Sequence, residues 1–175
     1  MNNDDLKQHH TFFTQPILAV GQCIPGESDL RLDETAARAR AGLLNVLSGI
    51  TIFLLIMYPE LDPVLYVAPY VIFDMLMAVL FGLTPLSPSG VLGTALTMKS
   101  KPVWRPIKPK RFAWTLGAIM GTTCLGFRLL DTPDSWMLAV LGMCFVLTWL
   151  EAVLGFCLGC WMYGKLFGCE ACAWD

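Results

Sequence analysis

The stretch that decides the fold is "WMLAVLGMCFVLTWLEAVLGFCLGCWMYG", residues 136–164, in which Glu151 is the only charged side chain. Three other apolar stretches precede it, at 41–58, 64–83 and 112–130. A helix needs about 20 mostly apolar residues to cross a hydrocarbon core of about 30 Å. Only helices and closed barrels satisfy their backbone in lipid, and no strand-type alternation is present. The sequence therefore predicts an all-α membrane protein with four transmembrane helices.

Composition agrees with a lipid bilayer as the surrounding solvent. Hydrophobic residues make up 55% of the 175 residues and charged residues only 15%, against about 25% charged in a typical soluble domain. The first residues lack a basic region followed by an apolar core, so we expect no cleavable signal peptide. No catalytic triad, phosphate-binding loop or haem motif occurs, and nothing predicts binding of nucleic acid.

The distribution of positive charge predicts the orientation of these helices. Lys and Arg residues lie before the first stretch, in the connection 84–111 and after the fourth stretch. The short connections 59–63 and 131–135 hold acidic residues and no positive charge. Because flanks rich in Lys and Arg stay in the cytoplasm, we predict two antiparallel hairpins in a bacterial inner membrane, with both termini cytoplasmic.

The chain divides into three predicted parts. Residues 1–40 form a cytoplasmic segment, residues 41–164 form the four-helix domain, and residues 165–175 form a cytoplasmic tail with cysteines. The cytoplasmic loop 84–111 is rich in proline and glycine, so we expect no long regular structure there. Glycines four residues apart predict close helix contacts, in the pairs Gly117/Gly121 and Gly155/Gly159.

Three polar side chains lie at membrane depth: Asn45, Asp74 and Glu151. An ionised carboxylate in lipid costs about 2.5–3.5 kcal/mol even on insertion scales, so each group should face protein or be protonated. A helical wheel turns Glu151 inward, in the same half of the membrane as Asn45, which predicts a hydrogen bond between them. These groups are either a proton or ligand site or purely structural hydrogen bonds between helices.

Four cysteines close the chain as two CxxC pairs, Cys157/Cys160 and Cys169/Cys172. If the fourth helix is regular to residue 164, Cys157 and Cys160 lie near its C-terminus, nearly opposite Glu151, where the helix dipole opposes thiolate formation. Four thiolates are also the right number for tetrahedral zinc, and soft sulfur suits copper(I). Cysteine can equally pack as a small apolar residue.

Several short motifs resemble one bacterial membrane family, catalogued as domain of unknown function 4395. The motifs are "RARAGLLN" at 38–45, "SPSG" at 87–90, "PKRFAWTLG" at 109–117 and "GFCLGCWMY" at 155–163. The resemblance covers about residues 32–164. It implies a four-helix membrane protein with CxxC at the end of its last helix, matching Cys157 and Cys160, and association with thioredoxin-like or sulfur-transfer proteins. It implies no established activity.

The leading hypothesis is a thiol/disulfide redox or sulfur-relay protein that needs no cofactor. Cys157 and Cys160 would be the reactive pair, with Cys169 and Cys172 as the resolving pair. One alternative is a soft-metal protein that binds zinc or copper through all four cysteines. Another is a structural subunit of a larger membrane complex. Four helices enclose little room for transport unless the chain forms a homo-oligomer.

Overall fold

Helices make up most of residues 31–167, the part of the chain that the computed structural model describes. The helices are α1 (Glu34–Met57), α2 (Pro63–Phe81), α3 (Pro88–Thr97), α4 (Ile107–Leu129), α5 (Asp134–Trp149) and α6 (Leu158–Phe167). A short 3₁₀ turn, Pro59–Leu61, joins α1 to α2. Strands β1 (Arg31–Asp33) and β2 (Trp104–Pro106) pair antiparallel and tie the start of α1 to the start of α4.

Within residues 31–167, three helical segments are long and apolar enough to cross a membrane: Glu34–Met57, Pro63–Phe81 and Asp134–Leu154. Only 28%, 28% and 11% of their apolar windows are buried, so most of that surface is free to contact lipid. Helix α4 is not among them, because Arg128 and several Gly and Thr residues lower its hydropathy. A predominantly helical protein suited to a membrane is confirmed, while the fourth span and the orientation stay predictions.

Helix α1 begins seven residues earlier than the apolar stretch suggested. Asp33 caps it, since its carboxylate accepts a hydrogen bond of 2.9 Å from the Thr35 N–H. Side-chain capping of this kind satisfies an otherwise unpaired backbone donor at a helix start. As a result Arg38 and Arg40, expected in a polar segment before the membrane domain, lie inside the helix.

The connection 84–111, where no long regular structure was expected, contains the ten-residue helix α3. Ser87 caps α3 through a hydrogen bond of 3.1 Å from the Gly90 N–H, and Pro88 takes the first helical position. Serine followed by proline is a signal for the start of a helix, because proline has no N–H to leave unsatisfied there. Reading Pro85 and Pro88 only as residues that break regular structure concealed this signal.

The apolar stretch 136–164 does not form one regular helix, which corrects the prediction. A turn of π-helix, Leu150–Leu154, follows α5, and Gly155 then adopts a left-handed conformation with φ of 68°. Glycine is the residue that most readily ends a helix in this way. The Arg38 guanidinium donates a hydrogen bond of 3.0 Å to the Val153 carbonyl at this end. The chain then restarts as α6, which includes the first residues of the predicted tail, 165–167.

Small residues bring the helices together as predicted at three of the four glycines. A side chain at Gly117 would lie 3.1 Å from Met75, and one at Gly121 would lie 3.1 Å from Ile72, so α2 and α4 pack closely. At Gly159 a Cβ would lie 2.6 Å from the Ala113 Cβ, which places α6 directly against α4. Gly155 instead forms the turn between α5 and α6.

Candidate functional site

Cys157 and Cys160 lie at the N-terminal end of helix α6. Their thiols are free, and the Cys157 carbonyl accepts a hydrogen bond of 3.0 Å from the Trp161 N–H in the first turn. The prediction that this pair lies near a helix C-terminus was wrong, because the break at Gly155 starts a new helix just before it. The dipole at a helix N-terminus stabilises a nearby thiolate instead of opposing it.

The two thiols differ in exposure and in proton affinity. Cys157 is only 6% exposed, whereas Cys160 is half-buried. The prediction that the pair lies on the side of the helix nearly opposite the inward-facing Glu151 was therefore wrong for Cys157. The hydrogen bond between Cys160 and Cys157, together with burial, raises the pKa of the Cys160 thiol. Cys160 therefore keeps its proton at neutral pH and donates it toward the Cys157 sulfur.

A buried lysine joins two carboxylates beside these thiols. Lys110 is 3% exposed in the first turn of α4, and its Nζ lies 2.6 Å from Glu151 Oε1 and 3.0 Å from Glu34 Oε1. Burial lowers the pKa of Lys110, but Glu151 and Glu34, with a smaller contribution from the two thiols, raise it above its ordinary value. The Lys110 ammonium thus remains charged beside the cysteines.

Asn45 does not bond to Glu151, which corrects the predicted hydrogen bond between them. Its Nδ2 donates to the Phe145 carbonyl at 2.7 Å and to Thr148 Oγ1 at 3.0 Å, both on α5. Glu151 does face inward, but from the π-helical turn beyond the regular part of α5 it pairs with Lys110 instead. Asn45 therefore has the structural role of linking α1 to α5.

Asp74 is fully buried and belongs to a second polar cluster. Its Oδ2 accepts hydrogen bonds from Arg40 at 3.2 and 2.7 Å. Its Oδ1 accepts from Ser87 Oγ at 2.7 Å and from the Ser89 N–H at 2.8 Å. The Arg40 guanidinium also lies 5.1 Å from the centre of the Trp114 ring. With four hydrogen bonds to its carboxylate, Asp74 holds α1, α2 and α3 together. These contacts support a structural role for Asp74.

Two cavities meet at the dithiol. One has a volume of about 550 Å³ and charged walls, and the other, about 350 Å³, lies among α1, α2, α4 and α5 with mainly apolar walls. Cys157 lines both cavities, whereas Cys160 lines only the charged one. Among the charged residues, the charged cavity is lined by Glu34, Arg38, Arg105 and Lys110.

Lys110, Glu34 and Arg40 were not predicted to be parts of the polar clusters. The basic residues were interpreted as topology signals, and Glu34 was expected outside the membrane domain. The four quoted motifs did carry a signal, because they contain most of the residues that form these contacts: Arg40, Asn45, Ser87, Ser89, Lys110, Trp114, Cys157 and Cys160. The polar residues of these motifs, although distant in sequence, therefore contact one another in the fold.

The metal hypothesis depends on residues beyond the described part of the chain. Among residues 31–167, no group of three or more His, Cys, Asp or Glu side chains is placed to hold a metal ion. Cys169 and Cys172 lie outside the described residues. A four-sulfur site and a resolving role for this second pair both stay predictions.

Comparison with known proteins gives one match. The model of a family described as domain of unknown function (DUF4395) matches residues 32–167. This range includes both polar clusters and the first CxxC pair. No curated protein and no solved structure matches the chain.

Proposed function

We propose that this chain, which belongs to the family described as domain of unknown function (DUF4395), is a membrane dithiol protein that exchanges electrons through Cys157 and Cys160. The observation that carries the proposal is the position of both thiols at the N-terminal end of α6, with Cys157 just before the helix and Cys160 in its first turn, at the wall of one charged cavity. We further propose that α4 is the fourth span and that this cavity opens to the cytoplasm, at the inner bacterial membrane.

The proposed reaction begins with attack by Cys157 on a disulfide of a partner protein. A bond forms between the Cys157 sulfur and one partner sulfur, and the other partner sulfur leaves as a thiolate. Cys160 then gives up its proton and attacks Cys157, which releases the second partner thiol. The dithiol loses two electrons and two protons and becomes a disulfide, and the partner disulfide is reduced to two thiols.

The surrounding charges assign different roles to the two sulfurs. Cys160 has a raised pKa and is assigned the resolving role, which leaves Cys157 as the attacking sulfur. The Lys110 ammonium and the N-terminus of α6 would stabilise negative charge that develops at this end of the helix during the reaction. In a sulfur relay, Cys157 would instead take a sulfane sulfur from a partner persulfide, leaving the partner as a thiolate. A thioredoxin-like or sulfur-transfer protein remains the proposed partner.

Redox titration of the full chain in detergent tests this proposal. We expect the Cys157–Cys160 disulfide to form reversibly as the ratio of oxidised to reduced glutathione rises, detected by loss of maleimide labelling and by peptide mapping. Cys160→Ser should accumulate a mixed disulfide at Cys157, and Cys157→Ser should not. Cys124→Ser, a buried thiol outside the pair, is the matched control. If both thiols stay reduced at every ratio, the proposal is wrong.

A further inference from the structure

Cys157 is the only residue that lines both the charged and the apolar cavity in the described part of the chain. A buried thiol that serves only a soluble partner needs access from one side. Here the second side is a space of about 350 Å³ inside the helix bundle. Small-molecule sites in proteins are typically clefts of about 300–1,000 Å³ with mostly apolar walls and a few polar groups, so the apolar cavity has the size and character of a ligand site.

We infer that the apolar cavity binds a quinone, and that the Cys157–Cys160 dithiol reduces it. This inference rests on the proposed function and names a second reaction partner for the same dithiol. The protein would then take two electrons from a soluble dithiol partner at the charged cavity, by the reverse of the exchange proposed above, and pass them to a lipid-soluble electron carrier at the apolar one.

The chemistry of the apolar cavity selects this class of acceptor. Its walls are mostly aliphatic and thioether side chains, among them Leu44, Val71, Met120 and Leu147. A protein disulfide would not fit in a cavity of this volume. The two charged residues in its walls, Arg40 and Glu151, are already paired with Asp74 and Lys110, so a charged acceptor would lose its hydration and find no free counter-charge. A quinone is uncharged, dissolves in the bilayer around these helices, and takes up the two electrons that a dithiol releases.

The reaction balances without a further reagent. Two S–H bonds break and one S–S bond forms between Cys157 and Cys160. The quinone gains two electrons and two protons, and its two carbonyl oxygens become hydroxyl groups. Both cysteines end as a disulfide, and the product is a hydroquinone that can leave into the bilayer.

A chain of three charged side chains joins the two cavities and gives the protons a path. Glu151 lines the apolar cavity, and Glu34 lines the charged one. Between them Lys110 Nζ lies 2.6 Å from Glu151 and 3.0 Å from Glu34. Glu151 is thus placed to pass a proton toward the quinone, and Lys110 balances the charge when a carboxylate or thiolate is left behind.

The test mixes the reduced full chain in detergent with decylubiquinone in the absence of oxygen. We expect one equivalent of hydroquinone per chain, followed by ultraviolet absorbance, together with a Cys157–Cys160 disulfide. Val67→Trp places a large ring in the apolar cavity and should slow quinone reduction about a hundredfold, the loss expected from a misplacement of about 1 Å. Leu65→Trp on the same helix is the control, since Leu65 is 41% exposed and does not line that cavity.

Glutathione separates failure of this inference from failure of the proposed function. A chain that exchanges with glutathione disulfide but does not reduce decylubiquinone overturns the quinone inference alone. Equal quinone rates in Val67→Trp, Leu65→Trp and the parent chain also overturn it. If Val67→Trp also loses exchange with glutathione, the substitution has damaged the fold. The site is then tested in the parent chain by protection of a cysteine from labelling. Decylubiquinol should then protect Cys144, which lines the apolar cavity, from N-ethylmaleimide, and equal labelling with and without quinol contradicts the site.

Discussion

Replacing Asp74 by asparagine changes one carboxylate oxygen into an amino group at a site where every neighbour is a donor. Asp74 is 0% and Arg40 2% exposed, so water cannot compensate. If the new Nδ2 faces Arg40, it meets the two N–H groups that now bond to Oδ2 at 3.2 and 2.7 Å. If it faces the other way, it meets the Ser89 N–H at the 2.8 Å position. In either orientation the asparagine amide faces at least one donor, so the hydrogen-bonding groups of the cluster cannot all be paired.

The expected loss follows from what is left behind. Removing one partner of a buried ion pair costs about 3–5 kcal/mol, because the remaining charge has no counter-charge. We therefore expect Asp74→Asn to lower the free energy of unfolding by about this amount. The assay is unfolding of the detergent-solubilised chain with sodium dodecyl sulfate, followed by far-ultraviolet circular dichroism.

Two further variants make the measurement decisive. Arg128→Gln removes the ion pair with Asp62 at the other end of the bundle, where the two side chains are 30% and 24% exposed, and should cost much less. Combining Arg40→Met with Asp74→Asn should cost less than the sum of the single changes, with a coupling of about 0.5–3 kcal/mol. A loss below about 1 kcal/mol for Asp74→Asn, the worth of an exposed pair, would refute this reasoning.

Three other changes test separate features. Asn45→Ala removes the bonds to α5 and should cost about 0.6 and at most about 1.7 kcal/mol in the same unfolding assay, and a larger loss would mean that Asn45 does more than link two helices. Gly155→Ala should cost about 1–2 kcal/mol, because φ of 68° is strained for alanine and the added Cβ would lie 3.2 Å from the Arg38 guanidinium. At about pH 8.5, where half of an ordinary thiol is ionised, iodoacetamide should label Cys160 more slowly than free cysteine, because the hydrogen bond with Cys157 and burial raise the Cys160 pKa. Cys157→Ala should speed this labelling, and an unchanged rate would show that the hydrogen bond does not control it.

Hydropathy was a sound guide to the helices but not to their ends. The first and second apolar stretches and the first part of the fourth lie in helical segments that can span a membrane, because mean hydropathy over about 18–20 residues detects such segments. Helix starts depend instead on single capping residues. Asp33 caps α1, which therefore begins earlier than hydropathy predicted, and Ser87 caps the unpredicted helix α3. A window average cannot register such local hydrogen bonds.

The position of the candidate dithiol relative to the helices was misjudged. Cys157 and Cys160 were identified from their spacing alone, yet their relation to the helix dipole depended on Gly155. One left-handed glycine changed a helix C-terminus into the start of α6. The partners of the buried charges were also beyond sequence reasoning, since Lys110 meets Glu34 and Glu151 from 76 and 41 residues away.

The order in which the polar contacts close along the chain has a consequence for insertion into a membrane. Arg40 and Asp74 lie in consecutive helices, so their charges can neutralise each other as soon as α2 has been synthesised. The contact of Lys110 with Glu151 must wait until α5 has entered as well. We expect the first hairpin to enter the bilayer with the Arg40–Asp74 ion pair already formed, while the cysteine site is assembled last. Only a fully inserted chain would then have the complete charge environment around Cys157 and Cys160. Chains that are still being synthesised would not exchange electrons through this pair.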